Sequence, residues 1–313
     1  MRFFILAVIG FISNYFLIRF LKPFLFQYFL DSPGERSAHK VPIPTGAGIS
    51  FVLTSVLSYF LLKWNIPLLC FPLALVGFVD DKFNISRFFR YFTQILTALL
   101  LIKISSENNV FLSFLFELNI ISILFLIIFV ISVTTVINFS NFMDGLDGLL
   151  GSSYLVAFSF LSITYDQNLI LLTAAILSFL VFNWHPAKVF MGDSGSTFLG
   201  ALYAGLVMQD GDFIQIVTKL LILSPIFMDS FFTLIRRIIN KQKFFKPHKL
   251  HLYQRLSQSG MSDQRISFIY ATGVLVICFA TTLNNFYLTF FIVFLEFCLG
   301  LYLNSIAKSF IRT

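Results

Sequence analysis

Long apolar runs, several of them roughly 16 to 26 residues, recur along the whole chain between short polar breaks. A bilayer's hydrocarbon core is about 30 Å thick, and only helices or closed barrels cross it with every backbone N–H and C=O satisfied. Runs of this length predict an all-α integral membrane protein of about ten to eleven transmembrane helices. Only 12% of the residues are charged, against about 25% in a soluble domain. No soluble unit of useful size remains, so the chain reads as one polytopic domain, 1–313, with a histidine-containing cytoplasmic loop at 240–265.

The breaks mark eleven candidate spans: 3–21, 46–62, 67–79, 91–103, 120–137, 149–164, 169–183, 195–208, 214–239, 266–283 and 286–305. The first run is too long for a signal-peptide core and lacks a small-residue cleavage site, so it is read as a span. Pro225, inside the ninth run, predicts a kink. The loops sort into two alternating sets. One set, including DSPGERSAHKVP, DDKFNISRFFR, NWHPAK and RRIINKQKFFKPHKLHLYQR, is rich in Lys and Arg; the other, KWN, SSENN, YDQN, QDGD and LNN, is nearly free of positive charge. The positive-inside rule makes the first set cytoplasmic, the N-terminus external and the C-terminal tail cytoplasmic. Much of the net charge of +7 is then an orientation signal rather than a nucleic-acid footprint. Cys70, Cys278 and Cys298 lie inside apolar runs and read as inert thiols.

The acids are unevenly placed. Asp80 and Asp81 end the third run, Asp144 and Asp147 open the sixth within NFMDGLDGLL, and Asp193 precedes the eighth. All five map to the cytoplasmic edge, where such a cluster needs a compensating cation. At i and i+3 on a helix, Asp144 and Asp147 would face one side, near an N-terminus that eases their ionisation. Gly145 and Gly148 would leave room for close approach. Oxygen donors without cysteine favour a hard ion such as Mg²⁺ beside substrate phosphates. Asp144 and Asp193 have helix capping as a competing role. Asp80 and Asp81 close an apolar run, where a helix dipole opposes negative charge, and so read as functional. Asp229, inside the ninth run, has a structural role at least as strongly indicated as a catalytic one.

The basic side carries His248 and His251 beside Lys243, Lys246, Lys249 and Arg255. In that company the two histidines read as donors to a phosphate chain rather than metal ligands. Arg36, His39 and Lys40 in the first cytoplasmic loop share this reading with that of a plain solvated basic loop.

Six stretches, in order, carry a resemblance: RSAHKVPIPTGAG (36–48), GFVDDKFNIS (77–86), NFSNFMDGLDGLLG (138–151), FNWHPAKVFMGDSGS (182–196), PIFMDSFFTLIRR (225–237) and HKLHLYQRL (248–256). The chain resembles the polyprenyl-phosphate N-acetylhexosamine-1-phosphate transferases of glycosyltransferase family 4. The likeness implies transfer of an N-acetylhexosamine 1-phosphate from a UDP-amino sugar to undecaprenyl phosphate, with Mg²⁺ or alternatively Mn²⁺ as cofactor. It implies catalytic roles for Asp80, Asp81, His248 and His251. Substrate contacts are implied for Lys40, Asn138, Asn141, Asp144, Asp147, Asn183, Phe190 and Arg255, and metal ligation for Asp193 with Asp81 or Asp147. It also implies the bacterial inner membrane, a lipid setting and a homodimer as the candidate assembly. HKLHLYQRL, in place of the adjacent-histidine or HIHH forms, is closer to the branch that initiates O-antigen chains. Teichoic acid, capsule and peptidoglycan lipid synthesis use the same chemistry and stand as alternatives. A cation transporter would place its acids near mid-span. A CDP-alcohol phosphatidyltransferase would need Ala-Arg after the first DG and two later acids, which DGLDGLLGSS lacks.

Overall fold

The computed structural model describes residues 1–31, 41–117, 119–209, 212–242 and 248–310. Its apolar runs fold as helices: α1 (Arg2–Tyr28), α2 (Ile49–Leu62), α3 (Ile66–Phe83), α4 (Arg87–Asn108), a single turn α5 (Val110–Ser113), α6 (Ile120–Phe142), α7 (Leu149–Thr164) and α8 (Ile170–Asn183). There follow α9 (Gly192–Gln209), α10 (Phe213–Leu221), α11 (Ser224–Ile239), α12 (Leu252–Gln258), α13 (Asp263–Thr282) and α14 (Phe286–Ile306). Every expected span coincides with a helix, and the chain is a multi-pass membrane protein.

The ninth span is the exception in form. It breaks into α10 and α11, whose axes differ by 83°. Pro225 sits in the first turn of α11, where its missing N–H leaves no intrahelical bond unmade. The kink expected at Pro225 is therefore a full break just before it.

Among the described residues, five helices (α1, α4, α6, α13 and α14) are each long and apolar enough to cross a bilayer, and the bent α10–α11 pair makes up to six. The remaining expected spans are helices that are shorter or carry more polar residues: α2 and α8 have 14 residues each and α7 has 16, a rise of about 21–24 Å. The lipid-facing character of the outer helices is plain, with Phe20, Ile131 and Phe290 exposed on α1, α6 and α14.

At the centre stands α9, buried from Ser194 through Met208. Its small residues let α2, α3, α4 and α6 pack closely around it. α3 approaches closely: a Cβ on Gly77 would lie 2.6 Å from the Asp193 backbone. That contact brings Asp80 and Asp81, one turn further along α3, against the start of α9. A two-stranded antiparallel ribbon, β1 (Leu30–Asp31) with β2 (Ile43–Pro44), lies at the same end. All three cysteines are free thiols.

Candidate active site

The site forms where the ends of α3, α4, α6, α8 and α9 meet the 143–148 and 184–191 loops. The FMGD stretch is threaded alongside β2: Phe190 N–H donates to Pro44 O at 2.8 Å and its carbonyl accepts from Ala47 N–H at 3.0 Å. This extended pairing fixes both Phe190 and the start of α9. Asp81 then accepts from the N–H groups of Asp193 (2.8 Å) and Ser194 (3.4 Å). It closes α3 in sequence but caps α9 in space, so one carboxylate satisfies another helix's orphan donors.

The NFMDGLDG segment departs from the helical expectation. Residues 143–148 form a loop between α6 and α7, and its two aspartates point to different neighbours. Gly148 has φ +72°, and the Trp184 ring occupies the place a Cβ would take. Tyr253 of α12 fills the space beside Gly145, its hydroxyl donating to Phe142 O at 3.0 Å. The glycines therefore serve close protein packing, and the loop cannot hold its acids on one helical face. Asp144 accepts from Gly192 N–H and lies near Asp193 and Asp81. Asp147 Oδ2 instead pairs with His185 Nδ1 at 2.9 Å and accepts from Ala187 N–H at 3.0 Å. His185 Nδ1 also lies 3.9 Å from Asp263 Oδ2. Asp147 is thus grouped with His185 and Asp263 at the rim, not with Asp193 and Asp81 as the metal set implied by the resemblance would have it.

Burial, and next the charge of Asp193, push the Asp144 carboxyl up from 3.8 to about 7. The folded protein therefore holds that proton more tightly than the unfolded chain. Stability from this group is complete below its unfolded value near 3.8 and is lost as pH rises through about 7. In divalent-free detergent solution, Asp144→Asn is expected to raise the thermal midpoint at about pH 8 by about 2–4 °C and leave it unchanged near pH 4. Scanning fluorimetry across that range tests this; a shift equal at both ends would contradict it.

Two cavities meet at Asn141, Asp193 and Gln254. The larger, of about 640 Å³, is lined by six aspartates: Asp31, Asp81, Asp144, Asp147, Asp193 and Asp263. Among the described residues no Lys or Arg lines it. The smaller, of about 310 Å³, is lined by Arg87, Arg90, Arg237, His248 and His251, with Asp193 at its mouth. An acidic lobe and a cationic lobe therefore share one carboxylate.

Arg90 is the electrostatic hinge between them. Its Nη1 pairs with Asp80 Oδ2 at 2.6 Å and lies 3.6 Å from Asp193 Oδ2. Asp80 is 8% exposed, and its other oxygen accepts from Ile85 N–H at 2.6 Å. Asp80 holds Arg90 and also lies in hydrogen-bonding contact with Asp193. Asn141 accepts from Ser196 Oγ at 2.7 Å and hydrogen-bonds Asp193. Asn138 exchanges two hydrogen bonds with Gln94 of α4, at 2.8 and 3.3 Å, and lines the cationic lobe. Asn183 lines the acidic lobe as a brace, accepting from Gly148 N–H (3.2 Å) and donating to Val189 O (3.0 Å).

The histidine motif is held from below by Asp229. This buried acid accepts from Leu252 N–H (2.7 Å), Tyr253 N–H (3.1 Å), Tyr270 Oη (2.7 Å) and Thr233 Oγ1 (3.2 Å). It thus caps α12 from α11 and sets His251, whose Nδ1 is 3.6 Å away. His248 Nδ1 accepts from Leu250 N–H at 3.3 Å, which leaves its proton on Nε2. Burial, then His251 and Arg237, lower the His248 pKa to about 3. His248 therefore offers the lobe one neutral N–H donor rather than a charge.

Arg255 departs from its expected role at the substrate. Its guanidinium donates to Leu250 O, Lys308 O and Asn304 Oδ1, away from both lobes, while Gln254 lines both of them and His251 lines the cationic one. Lys40, Arg36, His39, Lys243 and Lys246 lie outside the described residues. Arg87, Arg90 and Arg237, which the sequence reading did not single out, supply the cationic wall. Arg87, Arg90 and Gln94 are spaced to share one face of α4, a signal present in ISRFFRYFTQ.

Residues 63–210 match the model of the glycosyl transferase family 4. An undecaprenyl-phosphate α-N-acetylglucosaminyl 1-phosphate transferase of Pasteurella multocida is 32% identical, over 95% of this chain and 91% of that one. The chain belongs to the polyprenyl-phosphate N-acetylhexosamine-1-phosphate transferases. Among other members of this transferase family, the Haemophilus influenzae enzyme of the same name is 31% identical, covering 80% of this chain and 77% of its own. A probable undecaprenyl-phosphate N-acetylglucosaminyl 1-phosphate transferase of Bacillus subtilis is 28% identical, covering 85% and 81%.

Proposed function

We infer that this transferase moves an N-acetylhexosamine 1-phosphate from a UDP-amino sugar to undecaprenyl phosphate, releasing UMP, at the cytoplasmic face of the bacterial inner membrane. Its N-terminus is external and its C-terminus internal, as the loop charges indicate. The observation that carries this reading is the pair of oppositely charged lobes meeting at Asp193. A lipid phosphate suits the cationic lobe, with Arg87, Arg90 and Arg237 as counter-ions and His248 Nε2–H as donor. The nucleotide suits the larger lobe, where Phe190 offers an apolar face and Asp147 an acceptor.

A diphosphate cannot enter a lobe of six aspartates without a cation. The donors fit Mg²⁺: all are carboxylate oxygens, and Asp193 lies beside Asp80, Asp81 and Asp144 with one partly opposing charge, Arg90. Asp193 would hold the ion, with Asp144 and Asp81 nearby. When bound, it supplies charge neutralisation at the diphosphate.

In the reaction, an oxygen of the acceptor phosphate attacks the β-phosphorus of the donor, and the bond from that phosphorus to the α–β bridging oxygen breaks as UMP leaves. The sugar C–O bond is untouched, so anomeric configuration is retained. A phosphate monoester with a second pKa of about 6 is already mostly dianionic at neutral pH, so no strong base is required. Asp80 then acts as a positioning residue for Arg90. Asp80→Asn is expected to lower turnover about 10- to 100-fold, well short of the loss on removing Asp193; equal losses measured side by side would contradict this. The reading itself is tested by UMP release from a panel of UDP-amino sugars, which should require both undecaprenyl phosphate and Mg²⁺. The histidine motif supports an O-antigen-type pathway over teichoic acid, capsule or peptidoglycan lipid synthesis, and the preferred sugar in the panel bears on it.

A further inference from the structure

On the far side of α12 two cations converge without a counter-ion. Arg236 of α11 and Arg255 of α12 donate to the same acceptor, Asn304 Oδ1 of α14. Both guanidinium groups also lie over the Phe310 ring, at 5.9 and 5.7 Å. Arg255 is 4% exposed. Among the described residues no carboxylate lies within ion-pair distance of either group. Asp229 is the acid behind them, and its oxygens are taken by the four donors described above. The two like charges share one neutral amide, and the further acceptors of Arg255 are the neutral carbonyls of Leu250 and Lys308, so among the described residues the pair has no directly bonded anion and an anion would complete it.

Two cavities meet at these side chains. On the polar side lies an open pocket of about 480 Å³, lined by Asn240, Asn304, Ser305 and Ser309 together with the two arginines. On the other, an apolar slot of about 180 Å³ runs between α11, α13 and α14 past Met228, Phe232, Ile269 and Phe297. Leu299 and Leu301 line this slot and are 43% and 48% exposed, so it opens sideways toward lipid. Glu296, against Gly273 and Pro225, marks its far end. Eight residues of α14 separate Glu296 from Asn304, about 12 Å of apolar depth, after which a chain would leave between the two leucines.

We propose that this is a binding site for a phosphate-bearing anionic phospholipid, separate from the acceptor lipid's. Its phosphate diester sits on Arg236 and Arg255, and one acyl chain starts in the slot. Arg255 also donates from Nε to Leu250 O, next to His251, so an occupied site steadies the histidine helix. The assignment stands on the charge and shape of this face and does not require the reaction inferred above.

The test is lipid retention by the whole protein in neutral detergent, read by native mass spectrometry, with phosphatidylglycerol, phosphatidylcholine and inorganic phosphate as probes. One phosphatidylglycerol per chain should be held about tenfold more tightly than phosphatidylcholine. Arg236→Gln should weaken that retention about tenfold. Gly300→Leu provides an independent arm: Gly300 lines the slot and a Cβ there meets nothing within 4 Å, so the added side chain should narrow the slot and lower retention with both arginines intact. Arg87→Gln, in the acceptor lobe, should leave retention unchanged. Equal retention by wild type and both slot variants would overturn the proposal. So would full displacement by excess inorganic phosphate together with indifference to Gly300→Leu, which would make this an anion site with no lipid chain.

Discussion

Replacing Asp193 by Asn is expected to lower sugar-phosphate transfer by at least about 10³-fold while leaving the fold intact. Asp193 is the carboxylate that both lobes share, so its loss acts at the phosphorus rather than on one substrate's affinity. The fold should survive because the start of α9 is capped by Asp81, through the N–H groups of Asp193 and Ser194, and not by the Asp193 side chain. Removing one of several crowded negative charges should even raise the thermal midpoint in divalent-free solution, a trade of stability against activity. Turnover within tenfold of wild type, in protein that is folded with a midpoint no lower than wild type, would contradict the role.

Asp229→Ala should act through structure. It strands the buried N–H groups of Leu252 and Tyr253 and the Tyr270 hydroxyl, each costing about 1–3 kcal/mol, and removes the acid beside His251. We expect destabilisation of about 3–5 kcal/mol, early proteolytic cutting near α12 and activity down about 100-fold. Asp229→Asn keeps one acceptor and should fall between. Limited proteolysis beside activity separates this from a chemical role: lost activity with an unchanged cutting pattern would place Asp229 in the chemistry instead.

Much of this was legible in the sequence, for identifiable reasons. Apolar run length located every spanning helix, because lipid leaves the backbone few alternatives. The crowding of acids at run ends located the site. What could not be read was which neighbour each acid serves. Asp80 and Asp81 are adjacent, yet one holds Arg90 of α4 and the other caps α9. Asp144 and Asp147 seemed matched by spacing, but Gly148 at φ +72° breaks the helix that would have aligned them. Arg255 lies in the motif that carries the histidines, yet its guanidinium is taken by Leu250, Lys308 and Asn304 rather than facing the lobes. Partners brought together by tertiary packing, such as His185 with Asp147 and Asp263, leave no local periodicity to detect.

The division of labour between the lobes is the central claim, and initial rates with both substrates varied test it most directly. Arg87→Gln, exposed at the start of α4 in the cationic lobe, should raise KM for undecaprenyl phosphate about tenfold and leave KM for the UDP-sugar unchanged. Asp147→Asn, in the acidic lobe, should do the reverse. If both variants shift the same KM, or each shifts both alike, the two substrates do not occupy separate lobes and the account is wrong.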